Sequence, residues 1–192
     1  MSANISAPDP KRTFTRRISG LDEDTETTLV TTSRIKIRHF MASDAKAFIS
    51  FMIDADSTRF LEFEDNQKTA FGAAELLEAT ITSYNSQQPL MAFAVERRST
   101  GEFVGFCGLT PRNEQDIEIM YAVAPGAAGQ GLATEIAKAL ANHALKQLGY
   151  ARVIAPIRTD HVASLAVASK AGFQLQGHEG DRDVYALSKS TD

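Results

Sequence analysis

From Ser33 onward the hydrophobic and polar residues alternate with two different periods, and each change of period marks a structural element. Arg34-Ile35-Lys36-Ile37-Arg38-His39-Phe40 places apolar side chains at every second position, as a half-buried strand does. Ser43-Asp44 then opens a helix through Asp54, with a serine cap and apolar residues at Ala47, Phe48, Phe51 and Met52. Ala73, Leu76, Leu77, Thr80 and Ile81 recur at helical spacing and predict a second helix from Thr69 to Tyr84. Leu90 to Glu96 and Phe103 to Thr110 are β-rich runs separated by Arg97 to Glu102, the layout of a hairpin turning at Thr100-Gly101. Beyond a turn at Pro111 to Glu114, Ile117, Ile119, Tyr121 and Val123 alternate with Glu118, Met120 and Ala122. A strand here puts Glu118 on the face opposite Ile117 and Ile119.

The second half changes period again. Leu132, Ile136, Leu140 and Ala144 fall four apart, with Ala133, Ala137, Ala141 and Leu145 beside them, which describes one long amphipathic helix stopped by Gly149. Arg152 to Ile157 is a short buried strand, so Ile117 to Ile157 is a strand, helix, strand unit whose two strands are parallel. A further helix spans Val162 to Ala171, and two strands, Phe173 to His178 and Asp183 to Leu187, flank a turn at Glu179-Gly180-Asp181. The elements describe a mixed α/β domain over residues 31–190. Residues 1–30 differ: a basic cluster (Lys11, Arg12, Arg16, Arg17), an acidic one (Asp22, Glu23, Asp24, Glu26) and few apolar anchors describe a flexible N-terminal extension.

Composition narrows the function classes. With 192 residues, 43% hydrophobic and 23% charged, the chain has enough apolar residues for one globular core. A net charge of -4 gives no broad basic surface, so no direct nucleic-acid partner is expected and an anionic ligand must be held locally. The single cysteine, Cys107, lies in an apolar run as a small buried hydrophobe and has no internal disulfide partner, which fits a reducing cytoplasm. No apolar stretch approaches the roughly 20 residues of a membrane helix, and no apolar block marks a signal peptide, so a soluble cytoplasmic protein without a membrane partner is expected. The histidines (His39, His143, His161, His178) show no ligand spacing, and no metal is implied.

The segment AVAPGAAGQGLATE, Ala122 to Glu135, runs from strand through a glycine-rich turn into the long helix. Such a turn presents unpaired backbone N–H groups at the positive end of a helix dipole, a ready site for phosphate. The phosphate loop of nucleotide triphosphatases does not fit, because Gly131 is followed by Leu132-Ala133 instead of lysine and a hydroxyl residue. The dinucleotide fingerprint does not fit either: Thr134 stands at the last glycine position and Ala151-Arg152-Val153 supplies no acid.

Four matches in one order point elsewhere. The opening strand and helix (Arg34 to Phe40 with Asp44-Ala45), G-x-G-x-A-T-E at Gly129 to Glu135, D-x-x-A-S-L at Asp160 to Leu165 and K-x-G-F at Lys170 to Phe173 resemble the GCN5-related N-acetyltransferase (GNAT) family, in particular its ribosomal-protein-alanine N-acetyltransferase branch. The resemblance spans Ser33 to Leu187 and implies a mostly antiparallel sheet of six to seven strands, helices on both faces, and a splayed parallel pair formed by its fourth and fifth strands. It implies acetyl-coenzyme A as cosubstrate and a primary amine as acceptor, a protein N-terminus or a small molecule, with direct attack and no covalent acetyl-enzyme. Carried over by position, Ala128, Gly129, Gln130, Gly131, Leu132, Ala133 and Thr134 cradle the pyrophosphate, while Tyr121, Ala122 and Val123 pair with pantetheine. A monomer or homodimer is expected.

For the chemistry, Glu118 matches the glutamate often found on the family's fourth strand and is the candidate general base, made more basic by burial; its alternative role is to anchor a loop or a cationic substrate. A backbone N–H near Met120 to Ala122 would polarise the thioester carbonyl. Where many family members carry an asparagine and, seven residues on, a tyrosine, this chain has His161 and Ala168. Ser164 is left as the hydroxyl for the coenzyme sulfur or pantetheine amides, or else as a first-turn serine satisfying its own helix. His161 either hydrogen-bonds pantetheine or is a surface histidine. Gly126-Ala127-Ala128 replaces the usual glutamine or arginine of the cradle, and Lys138 or Lys170 is a candidate for the 3′-phosphate. Glu62, Glu64 and Asp65 form an acidic connection suited to a cationic acceptor. The missing asparagine and tyrosine leave a second reading, a non-catalytic acyl-coenzyme A binding module acting as sensor or assembly partner.

Overall fold

The computed structural model describes residues 27–189; most of the predicted N-terminal extension lies outside the described residues. A single sheet of eight strands runs through the domain in the order β1-β2-β3-β4-β5-β6-β8-β7. The strands are β1 (Thr28–Thr31), β2 (Ile35–Arg38), β3 (Ala92–Arg97), β4 (Phe103–Pro111), β5 (Asp116–Val123), β6 (Arg152–Arg158), β7 (Gln174–Glu179) and β8 (Arg182–Ser188). Every pairing is antiparallel apart from β5 with β6. The helices are α1 (Ala45–Met52), α2 (Ala55–Thr58), α3 (Ala70–Ser83), α4 (Leu132–Lys146) and α5 (Val162–Ala171), with 3-10 turns at Ala42–Asp44, Asp65–Lys68 and Pro125–Ala127.

The two faces of the sheet bury two cores. One holds α4 and α5 against Ile35, Val95, Val104, Ile117, Ile119, Val153 and Phe173. Helix α4 buries Leu132, Ile136, Leu140, Ala144 and their neighbours Ala137, Ala141 and Leu145, the stripe its 3.6-residue period predicts. On the other face α1 and α3 close a cluster of Phe40, Phe48, Phe51, Met52, Leu77, Ala94, Phe106 and Ala122, in which Phe106 meets Phe48 and Phe51 edge-on at 5.4 and 5.0 Å.

Three details depart from the sequence reading. An eighth strand, β1, pairs with β2 inside the stretch read as extension, because Thr28-Leu29-Val30-Thr31 has β-branched residues that the adjacent charge clusters obscured. Asp44, and not Ser43, closes the turn before α1. Its carboxylate accepts from the Met41 N–H at 2.9 Å and from Arg38 at 2.7 and 2.8 Å, so a buried ion pair anchors β2 to the first helical layer. Finally, α4 ends at Lys146, and Gly149 (φ +83) turns the chain back so that the Tyr150 N–H reaches the Ala144 carbonyl.

Candidate active site

The site begins where the one parallel pair among the described residues comes apart. β5 and β6 are in register from Asp116/Arg152 to Glu118/Ile154 and then separate. Each continues on its outer side: β5 stays paired with β4 as far as Val123 opposite Gly105, and β6 with β8 as far as Arg158 opposite Arg182. The N–H of Ala124 and the carbonyl of Asp116 are bonded toward β4. By strand alternation the backbone groups of Ile119, Tyr121 and Val123 face the opposite way, into the notch. That refines the expected Tyr121–Val123 pairing edge: Ala122 turns its backbone to β4, and Tyr121 and Val123 present theirs to the open side.

At the upper end of the notch the chain passes the 3-10 turn and enters α4 through Ala128-Gly129-Gln130-Gly131. Gly129 and Gly131 hold φ of +73 and +75, a left-handed conformation that side-chain-bearing residues resist. Ala127 and Ala128 N–H groups are satisfied by Ala124 and Pro125, and the first helical bond in the turn is Glu135 to Gly131. The N–H groups of Gly129, Gln130, Gly131, Leu132, Ala133 and Thr134 have no partner among the described residues. Six consecutive free donors at the start of a 15-residue helix are an arrangement chemically suited to an anion. Leu132 contributes only its backbone, since its side chain is buried in the core.

Side chains that sequence reasoning passed over fix this loop. Arg34 on the β1–β2 connection donates to the Gln130 carbonyl at 2.8 Å and to Glu135 at 2.6 Å, and Thr32 also donates to Glu135. Arg97 donates to the Gln130 side-chain oxygen at 3.0 Å while the Gln130 amide returns to the Gly126 carbonyl at 3.1 Å. Burial raises the Glu135 carboxyl, but the hydrogen bonds from Thr32 and Arg34 overcome it and hold the group below its ordinary value. The acidic end of the G-x-G-x-A-T-E motif is therefore a brace for the loop. An open recess of 370 Å³ beside the free donors is lined by Arg34, Gly131, Thr134, Glu135 and Lys138, which brings Lys138 to the start of α4.

The groups proposed for chemistry divide between the two faces of β5. Tyr121 points toward α5, where its hydroxyl lies 3.0 Å from Ser164 Oγ. Ser164 Oγ accepts no N–H of its own helix, so the capping alternative for this serine is not what the fold uses. Burial raises the Tyr121 phenol, partly offset by the Ser164 bond. One turn before Ser164, the His161 ring stacks on Phe60 at 3.9 Å with 7° between planes, and the Arg59 guanidinium covers the Phe60 ring at 5.0 Å. Burial lowers the His161 imidazole; Asp160 opposes and Arg59 adds to that shift.

Glu118 projects from the other face of the strand. The burial expected of it is absent: the side chain is 30% exposed and Arg112 grips one carboxylate oxygen at 2.7 Å through both Nε and Nη2. Such a pair belongs to a group reachable by solvent and substrate. The acidic connection is also partly compensated, because Glu62 pairs with Arg182 and Asp65 lies 3.9 Å from Lys68. Among the described residues no cluster of three or more His, Cys, Asp or Glu is arranged to hold a metal, and no helix is long and apolar enough to cross a membrane.

Comparison with known proteins places these features in context. Residues 34–174 match the family model described as Acetyltransferase (GNAT) domain. The uncharacterized N-acetyltransferase YoaA of Bacillus subtilis (strain 168) is 26% identical over 151 residues, covering 78% of this chain and 84% of that protein. Among solved structures, RimL, a ribosomal L7/L12 alpha-N-protein acetyltransferase in complex with coenzyme A, superposes with TM-score 0.72 at 17% identity, over 86% of this chain and 99% of that one. Spermidine N-acetyltransferase from Vibrio cholerae, in complex with coenzyme A and spermine, superposes with TM-score 0.65 at 18% identity, over 81% and 94% of the two chains.

Proposed function

The chain belongs to the GNAT acetyltransferase family, and from that membership we propose that it transfers the acetyl group of acetyl-coenzyme A to a primary amine by direct attack. The observation that carries the reading is the continuity of two unsatisfied backbone surfaces: six free N–H groups at the start of α4 and the open edge of Tyr121 and Val123 below them. A ligand with a pyrophosphate at one end and an amide-bearing arm at the other complements both. Coenzyme A has that layout. The two amine-acetylating enzymes that share the fold, one named for a protein N-terminus and one for spermidine, support an amine as acceptor.

Within this reading the protein has three tasks. The six free N–H groups hold the phosphates, with Lys138 alongside for further negative charge. The inward-facing N–H of Tyr121, at the middle of the open edge, polarises the thioester carbonyl as negative charge develops on its oxygen. Glu118, on the face away from α5, accepts the proton of the incoming ammonium, directly or through water. Arg112 holds the carboxylate in place until an acceptor arrives.

Calorimetric titration with acetyl-coenzyme A tests the cradle without any assumption about the acceptor. Micromolar binding is expected, followed by thiol release when a panel of protein N-terminal peptides, polyamines and amino acids is supplied. No binding at millimolar ligand would sink the reading. Binding without turnover on any amine would favour the non-catalytic acyl-coenzyme A module.

A further inference from the structure

Acetyl transfer also needs a hydrogen-bond donor at the departing sulfur, and the α5 side of the notch offers few. The His161 ring is engaged with Phe60. Tyr121 stands in the middle of the open stretch of β5, and its hydroxyl has polar contacts only with Ser164 among the described residues: 3.0 Å to Oγ and 3.4 Å to the carbonyl oxygen. At 3.4 Å the Ser164 carbonyl lies beyond the ordinary O–H···O range, which leaves the single phenol proton available for the 3.0 Å contact with Oγ, where either hydroxyl can be the donor. When the phenol donates to Ser164 Oγ, the serine's own proton cannot lie on the Tyr121 line and must point elsewhere. Neither hydroxyl is spent on a helix N–H.

We propose that Tyr121 is a positioning residue whose phenol donates to Ser164 Oγ and so turns the Ser164 hydroxyl proton toward the coenzyme sulfur in the notch. The inference rests on the acetyl-transfer reading above. As the amine nitrogen bonds to the acetyl carbon, the C–S bond breaks and its electron pair goes to sulfur. The proton of the attacking amine leaves to solvent through Glu118. Sulfur takes the Ser164 proton, and the serine recovers one from solvent. Tyr121 stays neutral throughout, and its burial keeps the phenol a donor across the working pH range.

Coenzyme A itself is the probe, so the test needs no acceptor. The pH midpoint for alkylation of the bound thiol by a small reagent is compared with that of free coenzyme A. Wild type is expected to shift the midpoint down, because a donor at sulfur favours the thiolate. Tyr121→Phe and Ser164→Ala are each expected to move it back toward the free value, and the double variant no further than Ser164→Ala alone. Ser164→Thr, which keeps the hydroxyl, should stay nearer the wild-type midpoint than Ser164→Ala, and a thermal melt of Tyr121→Phe together with its retained coenzyme A binding separates a lost hydrogen bond from a folding defect. With an amine acceptor, Tyr121→Phe should lower kcat about fivefold to tenfold, the size of one hydrogen bond, with acceptor KM nearly unchanged. A bound thiol that titrates like free coenzyme A in wild type, or additive effects of the two single variants, would overturn the proposal. Failure of coenzyme A to bind at all would instead overturn the acetyl-transfer reading, and this inference with it.

Discussion

Three glycines of one loop make unequal demands, and replacing each by alanine separates the fold's need for glycine from the ligand's. Gly129 and Gly131 sit at φ +73 and +75, whereas Gly126 has an ordinary φ. A methyl group meets nothing within 4 Å at Gly126 or Gly129 and only Arg34 Nη2 at 3.7 Å at Gly131, so packing costs are small at all three. Left-handed backbone costs a residue with a side chain about 1–2 kcal/mol, and stiffening the unfolded chain returns about 0.4–1 kcal/mol. Gly129→Ala should therefore lose on the order of 1 kcal/mol, lowering Tm by about 2–4 °C for a domain of this size. Gly126→Ala, which bears only the favourable term, should match or slightly exceed wild type. Binding should divide differently. A twisted Gly129 misaligns its own N–H and that of Gln130, and each lost hydrogen bond to a charged group is worth about 1.5–3 kcal/mol, or roughly tenfold to a hundredfold in affinity. Thermal melts and calorimetry with acetyl-coenzyme A on the same preparations read both effects. Equal affinities for Gly126→Ala and Gly129→Ala, with Tm lowered only in the second, would show that the free amides are not where the phosphates bind.

Other consequences follow from the same contacts. Arg34→Ala removes the donor to the Gln130 carbonyl and leaves Glu135 with Thr32 and the residue 34 backbone N–H; because Arg34 is half exposed the stability loss should be modest, about 1 kcal/mol, while acetyl-coenzyme A affinity falls several-fold in calorimetry. Asp116 is held down to about 2 by hydrogen bonds from Arg152 and then Asn113, below its unfolded value of about 3.9. Its stabilising contribution is thus complete above about pH 4 and is lost as pH falls from about 4 to about 2, so melts of Asp116→Asn should show a shallower acid limb than wild type. Glu118→Gln should lower kcat by about a hundredfold or more, as loss of a general base does, without changing acetyl-coenzyme A affinity; unaltered turnover with a working acceptor would remove Glu118 from the mechanism.

Sequence reading succeeded where local period and local chemistry coincide. The α4 stripe, the β5 alternation that separates Glu118 from Ile117 and Ile119, and the glycine-rich turn before α4 are all written within one element or one turn. It failed where a residue's role depends on a partner far along the chain. Arg34 braces a loop about a hundred residues away, and Phe60 reaches the start of α5 at a similar separation. Neither contact leaves a period to detect. Glu118 fails for a related reason: alternation gives its face, but its exposure depends on Arg112 in the preceding turn and on which helices cover that half of the sheet. Strand β1 was obscured by compositional weight, four β-branched or apolar residues set beside a long charged stretch.

The notch itself has a physical cause that joins these threads. β5 and β6 are each saturated on their outer edges, by β4 and β8, for their full lengths, while their shared edge carries pairing for only the first three residues of each. Closing the sheet would satisfy Tyr121 and Val123, but the two strands diverge toward different attachments, β5 into the loop that Arg34 and Arg97 fix and β6 into the start of α5. The open edge is therefore a consequence of where the neighbouring elements are tied. Unpaired strand backbone is costly when left dry and is satisfied either by water or by an extended ligand. A ligand that lies along the edge gains those bonds without rearranging the sheet, and its anionic end meets donors already oriented by α4. The same tie points that brace the loop thus preorganise the site, which is why Arg34→Ala is expected to weaken binding more than it weakens the fold.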